Sequence, residues 1–195
     1  MYRIVGVGGT PKPASSTELA LEVTLKHVER AGRTVRAFDG TFLARLPFYG
    51  TRGAASDPNA RLFVEAIREA DGLLIASPAY HGSMSGLVKN ALDFLQETAS
   101  DARVYLDGLP VGLVVTAYGW QATGSTMSAL RSTVHALRGW PTPFGAAILS
   151  RPGLFLSGTC TDPAVDEQLA RVGCQLAHYA QLHADDRQRE RPGCS

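Results

Sequence analysis

Residues 77–94 read S-P-A-Y-H-G-S-M-S-G-L-V-K-N-A-L-D-F, and the segment before them, Gly72-Leu73-Leu74-Ile75-Ala76, is short, unbroken and uncharged. Such a run suits a strand buried on both faces of a parallel sheet. Pro78 is expected to end its ladder, because proline has no N–H to donate. A stretch rich in Gly and Ser with one Tyr and one His follows, and then Leu87, Ala91, Leu92 and Leu95 recur at helical spacing. The reading is strand, polar aromatic loop, helix. In doubly wound sheets the loop at the carboxyl end of a central strand is where ligands bind.

Upstream, residues 2–7 alternate and then run apolar, as a central first strand should, and G-G-T-P-K-P-A-S-S-T follows at 8–17. Thr17 opens a helical pattern through Leu21, Leu25 and Val28 that closes at Gly32. This turn stands at a helix N-terminus, where unpaired amides and the dipole attract phosphate, with Ser15, Ser16 and Thr17 as hydroxyl donors and Lys12 as a charge. The dinucleotide fingerprint G-x-G-x-x-G fails, since Pro11 stands where its third glycine belongs, and no G-x-x-x-x-G-K-[ST] occurs. A hydroxyl-rich turn without that fingerprint is more typical of a mononucleotide phosphate. Ser15 and Ser16 serve equally well as plain helix caps, and both readings stand open.

The rest of the chain repeats the alternation. Residues 34–38 read as a second strand. Residues 39–58 show no period, a long connection that contains the apolar patch Leu46-Pro47-Phe48-Tyr49, suited to covering a ligand, meeting a second subunit or packing back on its own domain. Asp57-Pro58 opens a helix striped by Leu62, Ala66, Ile67 and Ala70. Beyond the 77–94 stretch come a polar segment at 98–110, a buried strand at 111–116, and the loop A-Y-G-W-Q-A-T-G-S at 117–125. Met127, Leu130, Val134 and Leu137 then stripe a helix that Gly139 ends, residues 143–150 read as a fifth strand, and 151–161 as a loop. Val165, Leu169, Val172, Leu176 and Tyr179 mark the last helix, and a loose charged tail is expected over 184–195. Five strands alternating with five helices predict an α/β fold: a three-layer α/β/α sandwich on a five-stranded parallel sheet of order 2-1-3-4-5, as one domain over 1–183.

In that order the first, third and fourth strands are neighbours, so the turns after them converge. One is the phosphate turn. The others carry Tyr80, His81, Tyr118 and Trp120 among glycines, which let backbone groups approach a flat polar ring system. An anion site beside an aromatic slot describes flavin mononucleotide, FMN.

Composition sets the outer limits. The chain has 195 residues, 45% of them hydrophobic and 19% charged, enough for one domain with a substantial core. A net charge of +1 with scattered basic residues argues against nucleic acid or an anionic membrane as partner. No apolar stretch approaches the ~20 residues of a membrane span, and the opening M-Y-R-I-V-G lacks a signal-peptide pattern, so a cytoplasmic location is expected. Cys160, Cys174 and Cys194 form no C-x-x-C pair and the histidines no H-x-x-x-H pair, so no metal site is expected.

The arrangement G-T-P-K-x-x-S-S-T, then S-P-A-Y-H-G-S-M-S-G-x-x-K-N-A-L-D, then A-Y-G-W-Q-A-T-G resembles the NADPH-dependent FMN reductase family of flavodoxin-like proteins. The resemblance implies FMN as cofactor and NADPH as co-substrate. It implies a phosphate site at Thr10, Lys12, Ser15, Ser16 and Thr17, and ring contacts from Pro78, Ala79, Tyr80, His81, Gly82 and Ser83, with Met84 nearby. Tyr118, Gly119, Trp120 and Gln121 would border the other side of the ring. No side chain is nominated as catalytic acid or base, since the flavin carries the chemistry. Hydride would pass from NADPH to FMN, and electrons on to a small-molecule acceptor such as free flavin or a quinone, with a flavin-dependent oxygenase as a conceivable partner and a homodimer or homotetramer as the assembly. An FMN-dependent oxidoreductase for a dedicated metabolite, or a flavodoxin-like electron carrier, is the alternative. Arg45, Arg52 and Arg151 are the candidates for the NADPH 2′-phosphate. The family usually has Ser and Arg where this chain has Thr10 and Lys12, and smaller residues at Trp120. Lys89 and Asp93 lie four apart on one helix face and suit an ion pair.

Overall fold

The computed structural model of the chain describes residues 2–188. Strand β1 (Arg3–Gly8) leads through the hydroxyl-rich turn into helix α1 (Ser16–Arg30), and β2 (Thr34–Phe38) follows. Helices α2 (Gly40–Leu43) and α3 (Pro58–Arg68) precede the central strand β3 (Gly72–Tyr80), a short β4 (Ser83–Met84) and α4 (Gly86–Asp93). Strand β5 (Pro110–Ala117) feeds α5 (Trp120–Ala136), then β6 (Trp140–Pro141), β7 (Ala146–Leu149), the hairpin strands β8 (Phe155–Leu156) and β9 (Thr159–Cys160), and α6 (Pro163–Gln188).

The main ladder runs β2-β1-β3-β5, all parallel, and both β6 and β7 pair with β5 at its far edge. This is the flavodoxin-like order expected, with β6 and β7 together in the fifth place. Alternate residues feed two cores. Val5, Val7, Leu73, Ile75, Leu113 and Val115 meet Phe63 and Ile67 of α3, Val88 and Leu92 of α4 and Leu130 of α5. Ile4, Leu74, Val114 and Ile148 meet Leu21 and Leu25 of α1 and Leu169, Val172 and Leu176 of α6. Leu73, Leu74 and Ile75 have no exposed surface, and each such side chain contributes about 1.5–3 kcal/mol by leaving water.

Several boundaries differ from the sequence reading, each for a local reason. Pro78 does not end its ladder: β3 runs on to Tyr80, and Pro78 stands in register with Thr116. Strand β1 stops at Gly8, opposite Ala76, so no β1 residue stands beside Pro78 and its missing N–H breaks no bond of that ladder. The Gly-rich loop after it is a tight hairpin in which Ala79 pairs with Met84 and Tyr80 with Ser83. Its two turn residues, His81 at φ 52° and Gly82 at φ 84°, both take the left-handed conformation that such turns require.

Within 39–58 the aperiodic stretch holds the single turn of α2, capped by Asp39, whose carboxylate accepts from the Phe42 amide at 2.7 Å; four residues are too few to show a period. Helix α5 starts at Trp120 rather than after Ser125, because its first buried positions, Thr123 and Thr126, are polar and hid the stripe. The fifth strand, read over 143–150, is split: Pro141 and Pro143 flank Thr142, whose amide reaches the Val111 carbonyl at 2.8 Å. Helix α6 continues to Gln188, past the expected start of a tail at 184; Ala184 is buried and Asp185 accepts the Tyr2 hydroxyl. Residues 189–195 of that expected tail lie outside the described residues. No helix among the described residues is long and apolar enough to cross a membrane.

Candidate functional site

The carboxyl ends of β1, β3 and β5 are brought side by side by the registers Gly8 to Ala76 and Pro78 to Thr116. The turn after β1 is pinned at its start, where the Gly9 amide donates to the Ala76 carbonyl at 3.3 Å. It is also pressed from the α2 side: a Cβ on Gly40 would stand 2.2 Å from the Thr10 carbonyl carbon, so only glycine lets the two backbones meet. Thr10 is buried and its hydroxyl donates to the Lys12 carbonyl at 3.2 Å, while Lys12 itself is exposed. Ala14 takes φ 55° and turns the chain into α1.

Ser15 caps that helix, its Oγ accepting from the Glu18 amide at 3.2 Å. The cap reading of Ser15 is therefore realised, and its hydroxyl proton stays available to a ligand. Ser16 is half-buried in the first turn, where the Ser16 and Thr17 amides have no intrahelical acceptor. Thr17 is 2% exposed. Its Oγ1 lies 2.6 Å from Thr116 Oγ1, so it braces the first turn against the end of β5.

Glu18 went unnoticed in the sequence, although S-x-x-E at Ser15 and Glu18 spells a capping box. Burial, then the charges of Asp39 and Glu22, push its carboxyl above the ordinary range, and the amides of Ala14 and Ser15 pull the other way.

The second turn is braced from below. Ser77 Oγ donates to the Pro78 carbonyl at 2.9 Å and accepts from the Ser85 amide at 3.0 Å, and Ser85 caps α4 through the Val88 amide at 3.3 Å. Pro78 is buried and its carbonyl engaged, Ala79 is half-buried, and Tyr80, His81 and Ser83 are exposed. Gly82 faces α5, where a Cβ on it would lie 3.7 Å from Ser125 Oγ. In the third turn Tyr118 is 89% and Trp120 64% exposed. Gly119 precedes the first turn of α5, which holds Trp120 and the exposed Gln121.

A groove of about 470 Å³ opens between the first two turns, within the range of small-ligand sites. Gly9, Thr10 and Pro11 form one wall and Tyr80 with the start of α4 another. The third wall is Ala44, Leu46 and Phe48 from the 39–57 segment, rather than Tyr118 and Trp120. That segment is held by Asn90, which lines the groove and was read only as part of a motif; nothing in sequence spacing links it to a backbone more than forty residues away. Lys89 and Asp93 form the expected i,i+4 pair at 2.6 Å on the exposed face of α4. Arg151 pairs with Asp162 at 2.6 Å on the surface, and Arg45 and Arg52 are exposed.

The profile of the NADPH-dependent FMN reductase family matches residues 2–151. An FMN-dependent NADPH-azoreductase of Staphylococcus saprophyticus is 33% identical over 142 residues, 69% of this chain and 70% of that protein. A 2-hydroxy-1,4-benzoquinone reductase of a Burkholderia species is 35% identical over 96 residues, 49% of this chain and 51% of its own. This chain spans about half the length of several such relatives. Among solved structures, the flavoenzyme NAD(P)H:(acceptor) oxidoreductase FerB of Paracoccus denitrificans superposes with a TM-score of 0.78 at 18% identity, covering 94% of this chain and 99% of that one, a likeness of fold. The strand order, the hydroxyl-rich first turn and the match over most of the length agree, and the chain belongs to the NADPH-dependent FMN reductase family.

Proposed function

We propose that this protein is an NAD(P)H-dependent FMN oxidoreductase, which takes hydride from NADPH and delivers electrons to a small acceptor such as a quinone, an azo compound or free flavin. The observation that carries this reading is continuity: Gly9, Thr10 and Pro11 belong both to the turn that opens the α1 N-terminus and to the wall of the apolar groove. One ligand with an anionic end and a flat end spans both.

Bound FMN supplies the hydride and electron chemistry. The chain's part is to bind, orient and keep water out. The amides of Ser16 and Thr17, the Ser15 hydroxyl and the Lys12 ammonium hold the phosphate, and the Thr10 to Lys12 hydrogen bond sets the turn beforehand. The backbone of residues 79–82 presents donors and acceptors to the ring edge, held in place by Ser77. Leu46 and Leu87 line the groove with apolar surface. Arg45, Arg52 or Arg151 meets the nicotinamide nucleotide's extra phosphate. The protein works in the cytoplasm as a homodimer or homotetramer, and a flavin-dependent oxygenase is one consumer of its product.

Fluorescence titration with FMN and with riboflavin tests the reading. Lys12→Ala is expected to weaken FMN binding by about tenfold, the scale of one charge-assisted hydrogen bond, and to leave riboflavin binding within about twofold. Equal affinity of the unaltered protein for both ligands would refute the phosphate assignment. A protein that neither binds FMN nor oxidises NADPH in its presence would refute the function.

A further inference from the structure

The 39–57 segment is a surface connection, yet its middle is anchored at one point by both ends of a single side-chain amide. Asn90 Nδ2 donates to the Pro47 carbonyl at 3.0 Å, and Asn90 Oδ1 accepts from the Tyr49 amide at 2.9 Å. These two bonds bracket Phe48. Its neighbours are buried down on either side: Leu46 is in the core, and the Tyr49 ring packs edge-on against Phe94 with centroids 5.2 Å apart, its hydroxyl donating to Glu97 at 3.1 Å. Phe48 between them stays 78% exposed and lines the groove. A large apolar ring kept in water by bonds on both flanks, at the mouth of an apolar groove with the Tyr80 ring on another wall, is placed to meet something flat.

The geometry points to Phe48 as the residue that sets acceptor preference, a platform for flat aromatic acceptors, and to Asn90 as the positioning residue that holds it over the groove. This rests on the function proposed above and adds to it the residues that choose among acceptors. The second ring of the platform is Tyr80. Non-aromatic acceptors such as ferricyanide gain nothing from either.

The test compares kcat/KM for a naphthoquinone with kcat/KM for ferricyanide, both driven by NADPH with FMN saturating. In Phe48→Ala and Phe48→Leu the ratio is expected to fall about tenfold, through a higher KM for the quinone, while Phe48→Tyr keeps it, since a flat ring face is what stacks. Asn90→Ala is expected to lower the same ratio with Phe48 still present. Because Phe48 is exposed, its variants fold, and they decide the matter even where Asn90→Ala is unstable. A ratio that stays put in Phe48→Ala, or falls equally in Phe48→Tyr, overturns the proposal. So does a native mass that drops from dimer to monomer in Phe48→Ala with the ratio unaltered, for the ring then belongs to a contact between copies. If the unaltered protein binds no FMN, the function itself fails; if it binds FMN and reduces both acceptors while the variants show no split, only this inference fails.

Discussion

Glu18 shows how one side chain ties the cap of α1 to the pH dependence of stability. Its carboxyl is pushed up by burial and by Asp39 and Glu22, so the folded protein holds that proton more tightly than the unfolded chain does. Ionising it therefore lowers stability as pH rises through its folded value, and the penalty is absent in more acid solution, below the ordinary 4.5. Glu18→Gln, which keeps an acceptor for the turn amides, is expected to raise the melting temperature at pH 8 by a few degrees and to lose that advantage near pH 4, as scanning calorimetry at both values would reveal. The Thr17 and Thr116 hydroxyls make a second residue-level case. Each satisfies the other in a buried site, so Thr17→Val alone strands a polar group at a cost of about 1–3 kcal/mol. The double change Thr17→Val with Thr116→Val is expected to cost less than the sum of the singles in urea unfolding, because it removes both partners together.

Elements respond to their ends. The β3–β4 hairpin depends on two residues with positive φ, and Gly82 at φ 84° lies close to α5. Gly82→Val is expected to destabilise the fold by about 1–2 kcal/mol from the left-handed backbone, and to weaken FMN binding along with it. Ser15→Ala, which deprives α1 of its cap, is expected to cost about 1 kcal/mol in chemical denaturation. Elements with a strong stripe or a paired cap were readable in advance. Helix α3 starts where Asp57-Pro58 said it would, with Asp57 accepting from the Asn59 and Ala60 amides. Those built on short or polar turns were not: α2 has four residues, and α5 buries threonines in its first turns. Pro78 misled because proline's effect on a ladder depends on whether a neighbour lies on its N–H side, which is a property of the sheet and not of the strand.

At the scale of the whole molecule, the two ends of the described chain are joined. Tyr2, just before β1, donates its hydroxyl to Asp185 near the end of α6, and that bond, with some desolvation and the carboxylate's charge, raises the tyrosine above its usual 10.0. The folded state again holds the proton more tightly, so this contact's support is present below pH 10 and fades as the phenol ionises. Tyr2→Phe is expected to flatten the alkaline fall of stability measured by thermal melts across that range. Sequence alone determined the layered architecture and the order of its main strands, because uninterrupted apolar runs such as 72–76 can only be buried on both faces and the intervening amphipathic stripes must cover them. It also marked the turns that form the site, since Gly, Ser and Thr cluster where a strand hands over to a helix. Only the tertiary structure decided what stands opposite those turns: that the 39–57 segment, held by Asn90, walls the groove, and that Thr17 looks toward Thr116. Those pairings join residues far apart in the chain, and no local period or propensity encodes which distant backbone a side-chain amide will meet.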